Sequence, residues 1–351
     1  MTDLGTTLPA KYYADPQYYE IERREIFNKE WQCVGFEYQL EAEGAYVREE
    51  IAGTDVFVRR SPDGSLRAFH NCCPHRAGPI VTETEGRTRG LTCKYHGWTF
   101  TDDGSLLNAR DFGAPAPEGA CLRQAQVETW NGIVFVNLDL SAPDLRTWFN
   151  GWDERMNEWP MEGVVFHSQS RRLIDCNWKT YGDTYIEGYH IPLVHPGLNR
   201  MTEGLKYRVW NHGDRRWNVH LTPHPDDADI PGTFTCIWPN FGMDIYEQGW
   251  STERWCPRGP HSTELIRDYF FWPDTERADI IVKESEEVAI EDVVISTAVQ
   301  RNLDAGWYSE GRMSPRHENG LADWHEIYRE VIVEGGPAKA VGPNPVRNPT
   351  S

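Results

Sequence analysis

Cys73-Pro74-His75-Arg76 and, further along, Cys93-Lys94-Tyr95-His96-Gly97-Trp98 form the stretch on which the fold turns. Each half offers one thiol and one imidazole within a few residues of each other. Two tight turns can therefore aim four soft or borderline ligands at one point, and Pro74, Gly78 and Gly97 suit such turns. Cys72 stands outside the Cys-x-His triplet and reads as a packed thiol. Outward from this stretch the chain reads as short β runs. Val56-Phe57-Val58 and Leu66-Arg67-Ala68-Phe69 flank Pro62-Asp63-Gly64 as a hairpin. Trp98-Thr99-Phe100, Asp103-Gly104 and Leu106-Leu107 repeat the scheme, and Asn131-Gly132 leads into Ile133-Val134-Phe135-Val136. From Trp31 to Leu140 the pattern is that of a small all-β domain.

The four ligands would satisfy a structural Cys₂His₂ zinc site as well as an iron site. The setting favours iron, because the halves leave separate hairpins of a β domain and no recognition helix lies between them. Two Cys on one iron and two His on the other describe a Rieske [2Fe–2S] centre.

A second constellation lies in Glu187-Gly188-Tyr189-His190-Ile191-Pro192-Leu193-Val194-His195-Pro196. A helix is expected from Trp178 to Tyr189, stopped near Pro192, with Glu187 and His190 one turn apart on one face. His195 follows beyond the proline, so the chain must leave the helix and bring it back beside His190. Two imidazoles and a carboxylate on one face of an iron make the facial triad of non-haem Fe(II) oxygenases. The candidate third ligand is Asp292, in a late helix whose apolar stripe is Val288, Ile295, Val299 and Leu303. Periodicity alone leaves Asp292 equally readable as a surface carboxylate beside Glu291.

The polar segment Ser141-Ala142-Pro143-Asp144 marks a domain boundary, and the remainder reads as α+β. Asp15-Pro16 opens an N-terminal helix. Strand-like runs occur at Phe234–Trp238, Met243–Tyr246 and Leu265–Trp272, and a last helix shows Leu321, Trp324, Tyr328 and Val331 on one face. Of the 351 residues, 35 are Lys or Arg and 54 Asp or Glu, a formal charge of −19. That balance argues against nucleic acid and against an anionic membrane surface as partners. No apolar run approaches a membrane span, and the N-terminus has neither a basic start nor an apolar core, so a cytoplasmic protein is expected. Eight cysteines in such a chain point to metal ligation or packed thiols rather than a disulfide scaffold.

Together the motifs resemble the Rieske non-haem iron oxygenases, in particular the α or terminal oxygenase subunit of the ring-hydroxylating type. The resemblance runs from Tyr18 to about Arg329. It rests on Cys73-x-His75, Cys93-x-x-His96-Gly97-Trp98, Asn177-Trp178-Lys179 and Glu187-x-x-His190-x-x-x-x-His195-Pro196, with Glu291-Asp292 followed by Val299-Gln300-Arg301. It implies a Rieske [2Fe–2S] cluster on Cys73, His75, Cys93 and His96, and a mononuclear Fe(II) on His190, His195 and Asp292. It also makes Glu187 a catalytic carboxylate, bridging an iron-binding histidine to His96 of a neighbouring subunit in a head-to-tail homotrimer. Electrons come from NAD(P)H through a separate flavin and iron–sulfur reductase; no G-x-G-x-x-G segment is present here.

The implied architecture is α+β: an N-terminal helical segment (1–35), an all-β Rieske domain (36–145), a catalytic mononuclear iron domain (146–335) and a Pro-rich tail (336–351). The catalytic domain is expected as a helix-grip fold, an antiparallel sheet covered by helices. The implied activity is O₂-dependent hydroxylation or oxidative demethylation of a small organic substrate. A finer resemblance, through Trp238-Pro239-Asn240 and Gly311-Arg312-Met313, is to the carnitine, glycine betaine and stachydrine demethylases. The chain departs from that subgroup at Gly188 and Ile191, where Cys is usual, and at Asp183-Thr184. Tyr185, Trp238 and Tyr246 could form an aromatic cage for a cation. Ring cis-dihydroxylation is the alternative reaction. A zinc-stabilised binding protein and a Rieske electron carrier are the alternatives of another class.

Overall fold

The structure, a computed structural model, describes residues 4–115, 117–159, 161–201, 208–213, 215–222 and 232–335. The N-terminal residues 1–3 and the tail expected at 336–351 lie outside the described residues. No described helix is long and apolar enough to cross a membrane. The chain divides into two compact units, one from Arg24 to Trp148, the other combining the residues before Arg24 with Phe149–Glu334.

The first unit is all β. Strands β1 (Gln32–Phe36), β2 (Ala45–Ile51), β3 (Thr54–Arg60), β4 (Leu66–His70), β5 (Glu85–Arg87), β9 (Gln124–Trp130) and β10 (Ile133–Asn137) form one antiparallel sheet, in the order β1-β10-β9-β4-β3-β2-β5. Strands β6 (Leu91–Thr92), β7 (Thr99–Phe100) and β8 (Leu106–Asn108) make a smaller one. The β9–β10 hairpin turns on Asn131 and Gly132, both at positive φ, which is what a two-residue turn matching strand twist requires. Val56, Phe57 and Val58 with Ile133–Val136 are almost wholly buried, so these strands read as continuous apolar runs. Phe57, Phe69, Leu91, Trp98 and Phe100 form a core beside the first constellation, with Cys73 and Cys93 among them.

The second unit is α+β. Its antiparallel sheet runs in chain order apart from one displaced strand: β11 (Val165–Ile174), β17 (Ser262–Phe271), β16 (Gly249–Gly259), β15 (Phe241–Tyr246), β14 (Gly232–Ile237), β13 (Trp217–Thr222) and β12 (Arg208–Asn211). The helices are α1 (Lys11–Ala14), α2 (Pro16–Glu22), α3 (Leu145–Phe149, at the boundary), α4 (Trp152–Met156), α5 (Trp178–Ile186), α6 (Ile191–Val194), α7 (Pro196–Met201), α8 (Ala278–Asp304) and α9 (Asn319–Gly335).

The N-terminal helices belong to this unit because their polar side chains complete its core. Glu22, on α2, accepts hydrogen bonds from Lys179 Nζ at 2.5 Å, Tyr328 OH at 2.5 Å and Trp178 Nε1 at 2.7 Å. Tyr13 OH donates to Asp183 at 2.6 Å. The expected stripe on α8 holds in part: Leu303 is buried, but Ile295 and Val299 are 36% and 41% exposed, and Ala289, Ser296 and Gln300 are buried in their stead. Polar contacts with α5 turn the helix. Gln300 Oε1 accepts from the Asn177 amide at 3.0 Å and the Thr180 hydroxyl at 2.8 Å, and Ser296 meets Thr184 at 3.1 Å. Leu321, Trp324 and Tyr328 of α9 are buried as their spacing suggests.

Lys179 and Glu22 are both almost fully buried, so removing either partner strands a charge. Glu22→Ala is expected to destabilise the catalytic unit by about 3–5 kcal/mol. Denaturant titration followed by tryptophan fluorescence checks this; a change under 1 kcal/mol would show the clamp to be dispensable.

Candidate metal centres

The first constellation is built by two loops. Asn71, at the end of β4, pins the first: its Oδ1 accepts from the Ile80 and Val81 amides at 2.8 and 3.0 Å, and its Nδ2 donates to Val81 O and Asp55 Oδ2, each at 2.8 Å. Within the loop the Cys73 amide donates to Gly78 O at 2.9 Å and the Ala77 amide to Cys73 O at 2.9 Å. Ala77 takes the left-handed conformation. A Cβ on Gly78 would lie 2.8 Å from Cys93 Sγ and 2.7 Å from Tyr95 Cβ, so only glycine lets the two loops touch. The second loop closes through Cys93 N to Trp98 O at 2.8 Å and Gly97 N to Cys93 O at 3.1 Å. The Tyr95 amide donates to Cys93 Sγ at 3.4 Å.

His75 lies flat on Trp98, ring centres 4.6 Å apart, and edge-on to His96 at 4.6 Å. Its Nδ1 is buried with no hydrogen-bond partner among the described residues. Burial, with the adjacent Cys93, pushes the Cys73 thiol up to about 11, so a bound cation is needed to make it a thiolate. Two buried sulfurs, an orphaned imidazole nitrogen and a second imidazole at the rim fit a Rieske cluster.

The second constellation forms where α5 stops. Asn177 caps the helix start, accepting from the Lys179 amide at 3.0 Å. The helix ends at Ile186, earlier than the sequence suggested, and Glu187 is extended rather than helical. Glu187 takes over as the local organiser: one carboxylate oxygen accepts from the Tyr189 amide, and the other meets His190 Nδ1 at 2.6 Å. The single turn α6 then carries the chain from His190 to His195, whose amide donates to Ile191 O at 3.0 Å. The rings thereby face each other, with His190 Nε2 and His195 Nε2 3.1 Å apart. Asp292 Oδ1, from α8, lies 3.0 Å from His195 Nε2 and 3.4 Å from His190 Nε2.

Two imidazole nitrogens and one carboxylate oxygen thus converge, and this donor set fits iron. Each ring's other nitrogen is turned onto a carboxylate, His190 Nδ1 onto Glu187 and His195 Nδ1 onto Glu291 at 2.8 Å. That arrangement fixes the tautomer presenting Nε2. Burial pulls both imidazoles down, but Asp292, Glu187 and Glu291 outweigh it, raising His195 and lifting His190 to about 9. Asp292 is held below the usual carboxylate range by the two rings, against the effect of burial.

Sequence reasoning overlooked Glu291, whose one signal was its place beside Asp292. It also overlooked the polar side of the sheet facing α5. There Tyr181 OH donates to Glu253 at 2.6 Å, Tyr185 OH donates to Asp244 at 2.8 Å, and Arg267 pairs with Glu253 at 2.7 Å. The signal available was charge at alternate positions in runs that otherwise read as strands. The expected cage of Tyr185, Trp238 and Tyr246 does not assemble. Tyr185 packs on Trp255, Trp238 on Trp178 and Trp324, and Tyr246 on Phe271.

An all-β unit carrying the Cys/His loops, followed by a helix-covered sheet carrying a His₂-carboxylate triad, defines a Rieske oxygenase α subunit. The chain belongs to this family: residues 30–126 match the Rieske [2Fe–2S] domain, and residues 152–334 match the ring-hydroxylating α subunit catalytic domain. It is 30% identical to choline monooxygenase of Arabidopsis thaliana, over 88% of this chain and 79% of that one. It is 28% identical to the carnitine monooxygenase oxygenase subunit of Acinetobacter baumannii, over 94% and 95%. The quaternary ammonium Rieske monooxygenase CntA with L-carnitine superposes with a TM-score of 0.84 at 26% identity, over 94% of this chain and 96% of that one.

Naphthalene 1,2-dioxygenase of Rhodococcus, at 18% identity and a TM-score of 0.75 over 93% and 94% of the two chains, shares the fold. The chain is accordingly a terminal oxygenase, an oxidoreductase that incorporates oxygen from O₂. It carries a Rieske cluster and a mononuclear iron and works with a reductase. The zinc-binding and electron-carrier alternatives fall away with the catalytic-domain match.

Because Glu291 touches only the outer nitrogen of His195, Glu291→Ala is expected to weaken iron retention ~10-fold or more while the visible spectrum of the Rieske cluster stays intact. Iron analysis after dialysis against a graded chelator checks this; unchanged retention would show that Glu291 does not orient the ligand.

Proposed function

We propose that the protein is a Rieske monooxygenase that inserts one oxygen atom into a C–H bond of a small quaternary ammonium compound. The observation that carries the reading is the convergence of His190, His195 and Asp292, in a chain whose choline- and carnitine-oxidising relatives match it over most of its length. His190, His195 and Asp292 hold the mononuclear iron, and Cys73, His75, Cys93 and His96 hold the cluster. When bound, the iron supplies O₂ activation and the cluster supplies electrons singly.

The protein's own groups do the rest. Glu187 accepts a hydrogen bond from His190 Nδ1–H and Glu291 one from His195 Nδ1–H, so each ring keeps its proton on Nδ1 and offers a neutral Nε2 lone pair. The Tyr189 amide holds the second oxygen of Glu187, which keeps a free lone pair there. That lone pair suits a hydrogen bond from His96 of a neighbouring subunit in a head-to-tail homotrimer. Tyr189 and Leu193, beside Glu187, are 53% and 89% exposed, which suits a surface that an adjoining subunit covers. A solved quaternary ammonium Rieske monooxygenase, 25% identical to this chain, is described in terms of inter-subunit electron transfer, which supports electron passage between subunits here. An NAD(P)H-dependent flavin and iron–sulfur reductase is the electron source this scheme requires, and the cytoplasm is the compartment that supplies its NAD(P)H.

Two tests follow from the assignments. His190→Ala and Asp292→Ala are expected to abolish substrate-coupled oxygen uptake while the Rieske spectrum persists; loss of that spectrum would mean that these residues serve the other metal. Glu187→Gln should keep both metals and the trimer, yet fail to reoxidise its reduced cluster in a single turnover with O₂ and choline. A wild-type reoxidation rate in a fully loaded Glu187→Gln protein would exclude the bridging role.

A further inference from the structure

The sheet presents α5 and α8 with a row of charged side chains rather than an apolar face. Register places Asp244 opposite Ser251, and Glu253 opposite both Gly242 and Arg267, so these groups project to one side. Tyr181 and Tyr185 meet them from α5, and Ser285 and Glu286 meet them from α8. Both helices lead straight into the triad, α5 through Glu187 and α8 through Asp292, and the charge of Asp292 reaches Tyr181 and Glu253.

The charges on this side do not balance locally. Arg267 answers Glu253 at 2.7 Å and Glu286 at 3.2 Å, and donates further to Ser285 at 2.7 and 2.8 Å. It comes no nearer to Asp244 than 3.8 Å. Asp244 is held instead by two neutral donors, Tyr185 OH at 2.8 Å and Ser251 Oγ at 3.2 Å. A buried carboxylate whose hydrogen bonds come from neutral hydroxyls alone is costly unless a cation completes it. Burial accordingly lifts Asp244 above the ordinary carboxylate range, although Arg267 pulls the other way.

Asp244 is buried, its side chain keeping 10% exposure, and Tyr185 beside it is only partly buried. The geometry that holds Tyr185 here is specific: a Cβ on Gly242 would lie 2.5 Å from its hydroxyl, so glycine alone lets the phenol reach Asp244. The ring of Tyr185 packs on Trp255 at 5.0 Å, which adds aromatic surface beside the carboxylate.

We infer that Asp244 selects the substrate by its charge, pairing with the ammonium group of a cationic substrate while Tyr185 positions the carboxylate. This rests on the proposed quaternary ammonium reading and names the residue that enforces it. A trimethylammonium group has no N–H to donate, so recognition must come from an unshared anion and aromatic faces. Asp244 and the ring of Tyr185, backed by the buried Trp255, provide both.

The test compares choline with its neutral tert-butyl isostere, of nearly the same shape, on the metal-loaded protein by equilibrium dialysis. Wild type is expected to prefer choline strongly. Asp244→Asn should weaken choline binding roughly 30-fold or more, the low end for truncating one partner of a buried charge pair, and leave the isostere unchanged. Tyr185→Phe keeps the ring on Trp255 and removes only the hydroxyl, and should lose part of the preference. If choline and carnitine fail to bind wild type, the quaternary ammonium reading falls and this inference with it. If wild type binds choline no better than the isostere, or Asp244→Asn keeps the preference, Asp244 is not the selector and that reading stands. If Asp244→Asn does not fold, the wild-type preference and Tyr185→Phe decide the matter.

Discussion

The catalytic unit depends on the meeting of three donor atoms, His190 Nε2, His195 Nε2 and Asp292 Oδ1, at separations of 3.0–3.4 Å. Such closeness is stable only if something positive sits among them. Without metal, protons serve, which is why His190 is lifted to about 9 despite its burial and Asp292 is held low. A divalent iron held by these three residues would replace those protons with more charge at a single point. The rest of the unit follows from keeping the three atoms in place. α5 must end before Glu187, α6 must be one turn long, and α8 must hold its register against α5. Gln300 fixes that register by bonding both the amide of the α5 cap and Thr180, one turn from it. Glu22 holds the start of α5 through Lys179 and Trp178.

Turns were more legible in the sequence than faces. The cysteine and histidine loops could be read because the Cys-x-His triplet and the nearby glycines Gly78 and Gly97 are local facts, as is the Asn131-Gly132 hairpin. Glu187, His190 and His195 could be read because Pro192 and the close spacing force the chain to double back. The face of α8 was not legible. Its apolar residues Ile295 and Val299 suggested an inward stripe, whereas the inward side carries Ser296 and Gln300, which bond to α5, in line with a metal-facing Asp292. Ser296 and Gln300 interrupt the inward side between Ala289 and Leu303, so the apolar residues of this helix do not mark its buried face on their own. The same inversion hid the sheet: Thr252-Glu253-Arg254 does not look like the middle of a buried strand, yet all three are buried. The aromatic residues misled for another reason. In a chain with 15 Trp and 15 Tyr, any three can be drawn as a cage; Tyr185 and Trp238 are joined only through Trp255 and Trp324, and Tyr246 packs apart on Phe271.

Charge acts at two ranges in this molecule. The formal charge of −19 gives a diffuse negative field that raises the local concentration of cations, but salt screens it beyond about 8–10 Å and it cannot tell one cation from another. Discrimination needs charge in a place that water does not average out. On the inner side of the sheet, burial pushes Glu253 above the ordinary carboxylate range even though it faces Arg267. In such surroundings a carboxylate answered by hydroxyls and one answered by a guanidinium are different objects. Glu253, tied to Tyr181 and Arg267, is already satisfied and serves the framework. Asp244 accepts hydrogen bonds from Tyr185 and Ser251 among the described residues, with Arg267 no nearer than 3.8 Å, and is answered less fully. Because the helices that cover it also end in the iron ligands, a cation that completes Asp244 is brought to the side of the sheet from which the triad is built. Recognition and reaction then share α5: the segment that stops at Ile186 to free Glu187 carries, one residue earlier, the phenol that holds Asp244.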